Sequence, residues 1–162
     1  MSRAARLVLL AVVAVLCALA IVRWSVRPMQ CNAAISELSS RWLATEQTVS
    51  DYDRLVRARR SLAELHGIEE RCSMHVNVHV LLAANERVLG RREEALRSYR
   101  TALAVAGERP ELRVMEGEVL AELGRVDDAV RSFVLATRYN PRLPDYISPD
   151  IAQRVEAELR RK

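Results

Sequence analysis

Aromatic side chains are scarce in this 162-residue chain: one Phe, two Trp and four Tyr make up 4% of it. Sheets prefer aromatic and β-branched residues, so this poverty argues against a sheet-rich fold and suits packed helices rich in Ala and Leu. Glycine and proline number five each, too few for collagen-like or Gly/Ser-linker segments. Lysine is almost missing: 24 of the 25 basic side chains are arginine and only Lys162 is not. That bias has the look of a GC-rich genome and points to a bacterial source. Net charge is missing too, beyond residue 27. Arg3, Arg6, Arg23 and Arg27, with no acid among them, carry the whole formal +4, while residues 28–162 hold 21 basic and 21 acidic side chains. A neutral body lacks the electrostatic footprint that phosphate binding needs, so no nucleic-acid partner is expected.

What is there suffices for one modest domain plus a terminal extra, with half of the residues apolar and 28% charged. The extra is residues 1–27. Leu7–Val22 is an unbroken run of 16 apolar residues flanked by arginines, about 24 Å long as a helix against a hydrocarbon core of ~30 Å. Trp24 at the interface and snorkelling Arg6 and Arg23 would close that gap, so the run is expected to be a transmembrane anchor. The rival is a cleaved secretory signal ending in the small-x-small pattern of Ala18-Leu19-Ala20. Apolar residues continue past Ala20, which favours the anchor. Either reading places residues 28–162 across a bacterial inner membrane, with the anchored form a single-pass protein facing the periplasm. Cys17 lies inside the run. Cys31 and Cys72 form an even pair in a domain expected to be exported, which reads as a disulfide, the alternative being two buried free thiols.

The most informative stretch is residues 76–141. Val76–Arg109 set beneath Pro110–Leu143, an offset of 34, repeats the same landmarks. Leu89-Gly90-Arg91 matches Leu123-Gly124-Arg125, Glu94-Ala95 matches Asp128-Ala129, Arg97-Ser98-Tyr99 matches Arg131-Ser132-Phe133, and Ala102 matches Ala136. A fixed period of this length is the signature of a helix–turn–helix repeat. Gly90 and Gly124 stand where a left-handed backbone ends the first helix of each pair. Ala95, Ala102, Ala129 and Ala136 are small because two helices approach closely there, and Tyr99 and Phe133 fill the space between neighbouring pairs.

These landmarks resemble the tetratricopeptide repeat, whose pattern runs small residue, turn Gly, Ala, large aromatic, Ala, Pro. The chain departs from it at His79 and Glu86, where the family has Trp and Tyr, at Gly107 in place of the closing Pro, and at Arg113 and Glu116 in place of apolar residues. The expected fold is therefore all-α: the transmembrane helix at 1–27, a helical pair at 28–71 acting as degenerate repeat or amino-terminal cap, two repeats of antiparallel helix pairs at 72–141, and a capping helix at 142–162. In the helical pair, Ile35, Leu38, Trp42 and Leu43 form one apolar stripe. Ser50 or Asp51 starts a second helix that carries Tyr52, Leu55, Leu62 and Leu65 and is stopped by Gly67. At the far end Ser148-Pro149-Asp150 starts a helix whose apolar face is Ile151, Val155 and Leu159.

Little in the chain suggests catalysis. Cys72, His75 and His79 fall at i, i+3 and i+7 on one side of a helix, a spacing that would suit zinc or copper and a small metal-dependent enzyme. The bridge to Cys31 competes for Cys72, His79 holds a packing position, and no fourth ligand is evident. No metal site, cofactor or small-molecule substrate is expected. Function is expected from shape, because stacked repeats form a concave groove suited to an extended peptide or a partner helix. The resemblance maps the groove onto Asn77, Val80, Ala84 and Arg87 in the first repeat and Glu111, Val114, Glu118 and Ala121 in the second. Family members that clamp carboxylate tails use Lys and Asn where this chain has Val80, Ala84, Val114 and Glu118, so that activity is not implied. Glu111 and Glu118 make the second half of the groove acidic, and a basic or amphipathic partner segment is expected. The resulting expectation is a membrane-anchored interaction module that serves as assembly factor or accessory subunit of an envelope complex for secretion, polysaccharide export or cytochrome maturation. The alternatives are a soluble periplasmic adaptor after signal cleavage and the metal-binding enzyme at Cys72, His75 and His79.

Overall fold

The computed structural model describes residues 3–21, 27–46 and 50–161, and the side chains of 11–21, 29–41 and 50–161. Among the described residues there are helices and turns but no strand. The α-helices are α1 (Arg3–Ile21), α2 (Arg27–Glu46), α3 (Asp51–Glu69), α4 (Val76–Val88), α5 (Arg92–Ala106), α6 (Pro110–Glu122), α7 (Val126–Thr137) and α8 (Pro149–Arg160), with a 3-10 turn at Leu143–Tyr146 ahead of the last. Packing follows chain order: α3 lies on α4, α4 on α5, α5 on α6, α6 on α7 and α7 on α8, while α2 touches both α3 and α4.

The two central hairpins turn in the same way. Gly90 and Gly124 have φ of 73° and 74°, the left-handed region that a Cβ would penalise. The amide of Gly90 bonds the Arg87 carbonyl at 3.0 Å and that of Arg91 bonds the Glu86 carbonyl at 2.8 Å; in the second hairpin Gly124 bonds Ala121 at 3.0 Å and Arg125 bonds Leu120 at 2.9 Å. This paired closure satisfies carbonyls that the helix end would otherwise strand. Pro110 opens α6, where a missing amide hydrogen costs nothing. Beyond the bends the helices close on small residues: Ala95, Ala102, Ala129 and Ala136 are all fully buried. Tyr99 and Phe133 fill the core as expected, at 3% and 2% exposure.

Phe133 depends on a residue that the repeat pattern does not single out. A Cβ built on Gly117 of α6 would lie 2.8 to 3.0 Å from three atoms of the Phe133 ring. The equivalent position of the first pair, 34 residues earlier, holds Ala83, which is fully buried. At the carboxyl end Val155, fully buried, with Ile151 and Leu159 at its sides, seats α8 against the α6–α7 core.

The amino-terminal elements correct several expectations. Ser50 does cap α3, accepting the Asp53 amide at 3.2 Å, but the helix runs through Gly67 to Glu69. Gly67 has an ordinary helical backbone with open space around it. A helical glycine costs only about 1 kcal/mol, which the burial of Leu65 and the half-buried Ile68 outweighs. Leu62 and Leu65 are buried as expected, but Tyr52 and Leu55 are 74% and 40% exposed, and Ala58 is the first buried residue of the helix. The reason is length: α3 has 19 residues and α4 only 13, so the first turns of α3 overshoot their partner. Ile35 and Leu38 of α2 are buried. The side chains of Trp42 and Leu43 lie outside the described residues.

The transmembrane element is also corrected. Among the described residues no helix is long and apolar enough to cross a membrane. The anchor at residues 7–22 and the single-pass, inner-membrane and periplasm-facing location built on it are therefore overturned. Trp24 and Arg23, expected at the interface, lie outside the described residues.

Cys31 and Cys72 are bridged, with a Cα–Cα distance of 5.8 Å, tying α2 to the turn that follows α3. Their separation of 41 positions gives the cross-link roughly 4 kcal/mol of stabilisation through the unfolded chain.

Two glycine substitutions test the packing. Gly117→Ala gains helix propensity but drives a methyl into a buried ring, so a net loss of about 1–2 kcal/mol is expected. Gly67→Ala, with nothing in its way, is expected to stabilise by up to about 1 kcal/mol. Urea midpoints of the two variants measure both, and the two signs must be opposite.

Candidate partner-binding groove

The groove expected from the resemblance lies on α4 and α6. Asn77 and Glu111, in the first turns of the two helices, are exposed and have no described ion pair. Val80, Ala84, Arg87, Val114, Glu118 and Ala121 are half-buried. Val80, Val114 and Ala121 flank one continuous apolar core, so the floor of this face is a thin apolar layer over packed side chains. All eight sites thus fall on one pair of first helices.

The charge of this face differs from the expected acidity. Arg87 of α4 reaches across to α6, with Nη1 2.6 Å from Glu118 Oε2 and Nη2 2.5 Å from Glu122 Oε1. Arg92 adds a contact of 3.2 Å to the other Glu122 oxygen. Two guanidinium groups therefore face two carboxylates, and the cluster is neutral. Burial works against the Arg87 charge, but its bonds to Glu122 and Glu118 outweigh burial and hold its pKa above the usual arginine value. Tyr99 lies beneath the same cluster, and burial raises its phenol pKa. Glu122 and Arg92 were not among the expected site residues. The i, i+4 spacing of Glu118 and Glu122 was the available signal, since it puts both carboxylates on one helix face.

Two further carboxylates sit in the core between helices. Glu116, 4% exposed, accepts Arg100 Nε at 3.0 Å, Arg113 Nη1 at 2.8 Å and Ser132 Oγ at 3.0 Å. This explains why Arg113 and Glu116 stand where the family has apolar residues: they form one satisfied polar unit. Glu86, 7% exposed, receives only the Ser98 hydroxyl, at 2.7 Å. Burial raises the Glu86 pKa above the ordinary 4.5, and the Ser98 bond only partly opposes it. Ser98 and Ser132 occupy matching repeat positions, so each repeat uses its serine to hold a buried acid from the preceding helix.

The histidine and cysteine cluster is taken apart by the fold. Cys72 is in the bridge, His75 Nε2 lies 2.6 Å from Asn32 Oδ1, and His79 Nε2 lies 2.7 Å from the Ser73 carbonyl. Among the described residues no three His, Cys, Asp or Glu side chains converge as metal ligands. A cleft of about 390 Å³ between α7 and α8 is lined by Asp127, Arg131, Arg154, Glu158 and Arg161. Its three arginines are paired, with Asp128, Asp127 and Glu158.

No family model and no curated protein matches the chain. Among solved structures, the Yersinia enterocolitica type III secretion chaperone SycD, in complex with a peptide of the translocator YopD, has a similar fold, with a TM-score of 0.59. The two sequences are 14% identical, and the match covers 81% of this chain and 94% of that one. That likeness, together with the two hairpins, establishes a tetratricopeptide-like helical repeat fold.

The buried acid supplies a pH test. Because the Glu86 pKa is raised on folding, the folded state holds the proton more tightly, and stability is lost as pH rises from about 4.5 through the folded value. Glu86→Gln keeps a hydrogen-bonding partner for Ser98 and removes the desolvated charge. Its urea midpoint at pH 7 is expected to exceed that of the parent, with the advantage shrinking as pH falls to 4.

Proposed function

We propose that this chain is a non-catalytic interaction module that grips a segment of another protein on the face formed by α4 and α6. One observation carries the reading. Val80, Ala84, Val114 and Ala121 form a half-buried apolar shelf beside a charge cluster in which Arg87 and Arg92 neutralise Glu118 and Glu122. A shelf of this kind favours an occupant with small or medium apolar anchors, because a neutral cluster rewards neither a basic nor an acidic segment. SycD was solved with a peptide of its translocator, which supports peptide capture on a fold of this type. The Cys31–Cys72 bridge suits a compartment oxidising enough to keep it formed. In such a compartment the module would act as an adaptor or assembly subunit, bringing together components it does not chemically change.

Site-specific photo-crosslinking in cells tests the reading. A crosslinker at position 80 or 114 is expected to trap the same discrete partner. One at Arg97 or Arg131, exposed on the second helices, is expected to trap none. Ala84→Trp fills the shelf and is expected to weaken capture about tenfold, or about 1.4 kcal/mol, at an unchanged unfolding midpoint. Equal adducts from both sets of positions would overturn the assignment.

A further inference from the structure

The attachment of α2 differs in kind from that of every later helix. Of its described side chains only Cys31, Ile35 and Leu38 are buried, whereas α4 buries seven within 13 residues. Ile35 and Leu38 rest on an apolar seat built from Leu62, Leu65, Val78 and Leu82. The polar contacts described between α2 and the body include Arg41 to Glu64 at 3.1 Å and Asn32 to His75 at 2.6 Å, both exposed. Exposed polar ties contribute little net hold. The strongest link is the covalent one, which joins the first half of α2 to the turn ahead of α4. Arg71, Ser73 and Met74 around Cys72 are all exposed, Met74 at 81%, while Cys31 and Cys72 themselves are buried at 7% exposure each. The hairpins α4–α5 and α6–α7, by contrast, have no covalent cross-link among the described residues and close on buried alanines.

We propose that Cys31–Cys72 is a redox latch that holds α2 on the end of the stack, and that its reduction releases α2 while α4 to α8 stay folded. The reductant is a dithiol. One of its thiolates attacks a sulfur of the bridge to give a mixed disulfide, and its second thiol resolves that intermediate. The protein gains two electrons and two protons and ends with two thiols, and the dithiol leaves as a disulfide. Release uncovers Leu62, Leu65, Val78 and Leu82, an apolar seat now occupied by α2, so the reduced form presents a surface that the oxidised form hides. This inference is independent of the α4–α6 shelf.

Hydrogen exchange on the full chain, with and without dithiothreitol, tests it. On reduction the amides of α2 are expected to exchange at least 100-fold faster while those of α4 to α7 change less than threefold, and reoxidation with glutathione disulfide restores α2 protection. The double variant Cys31→Ser, Cys72→Ser is expected to match the reduced protein without reductant. Leu38→Ala, with the bridge intact, is expected to keep α2 protected within tenfold. Unchanged α2 protection on reduction would overturn the latch, because non-covalent packing would then suffice. Loss of protection throughout α4 to α7 would overturn it equally, because the bridge would then stabilise the whole fold.

Discussion

Each central hairpin reverses its chain within three residues, and that is feasible only because a glycine at its centre adopts a left-handed backbone. Leu89-Gly90-Arg91 and Leu123-Gly124-Arg125 make the same two closing hydrogen bonds. Beyond each bend the paired helices close on fully buried alanines, Ala95 and Ala102 in one pair and Ala129 and Ala136 in the other. Tyr99 and Phe133, 34 positions apart, are both buried, and the Phe133 ring lies against Gly117. The larger clearance that Gly117 leaves is taken up by the Phe133 ring. A stack of repeats adds such interfaces nearly one by one, so the geometry of the bend propagates from pair to pair.

The polar groups in this core have a common logic and unequal success. A buried carboxylate is tolerable when its oxygens are matched by donors and its charge by an opposite charge. Glu116 meets both conditions through Arg100, Arg113 and Ser132. Glu86 meets the first at one oxygen, through Ser98, and burial raises its pKa against that bond. On the groove side the same pairing operates between helices that the chain order leaves apart. Arg87 is 31 and 35 residues from its two partners, so its ion pairs stitch one repeat to the next. They also balance the charges of Glu118 and Glu122, which leaves Glu111 as the exposed carboxylate of the face without a described ion pair.

The parts of this fold that were legible in the sequence are those fixed by local chemistry repeated at a constant spacing. Gly90 and Gly124, the four alanines, Tyr99 and Phe133 announce themselves because each needs a particular residue type and the need recurs 34 positions later. The pairing of Cys31 with Cys72 was legible for another reason, that an even number of thiols outside the apolar run leaves one partner each. What escaped depends on neighbours distant in sequence. Gly67 and Gly117 look alike in a helical pattern, yet one is a tolerated cost in open space and the other makes room for a ring. Glu116 and Arg113 read as departures because their partners, Arg100 and Ser132, lie on other helices. Tyr52 and Leu55 fitted an apolar stripe, but a stripe says nothing about whether the opposing helix is long enough to cover it. The resemblance maps the shelf onto α4 and α6, and the ion pairs there, Arg87 with Glu118 and Glu122, join helices that are apart in the chain and so cannot be read from single residues.

The two ends of the stack solve one problem in different ways. A terminal repeat has an apolar side with no neighbour, and something must seal it or the end frays. At the carboxyl end α8 brings Val155, Ile151 and Leu159 to the core, and its other face is charged. That seal is apolar burial with an exposed Arg154–Asp127 ion pair beside it, and it persists in any redox environment. At the amino end the described side chains of α2 bury Ile35 and Leu38 beside Cys31, and a covalent bond adds to that hold. A bond that stands in for missing core differs from a bond added to a sufficient one: removing it does not weaken the structure evenly but selects the element that depends on it. The end sealed by sulfur is therefore conditional on its surroundings, and the end sealed by valine, isoleucine and leucine is not.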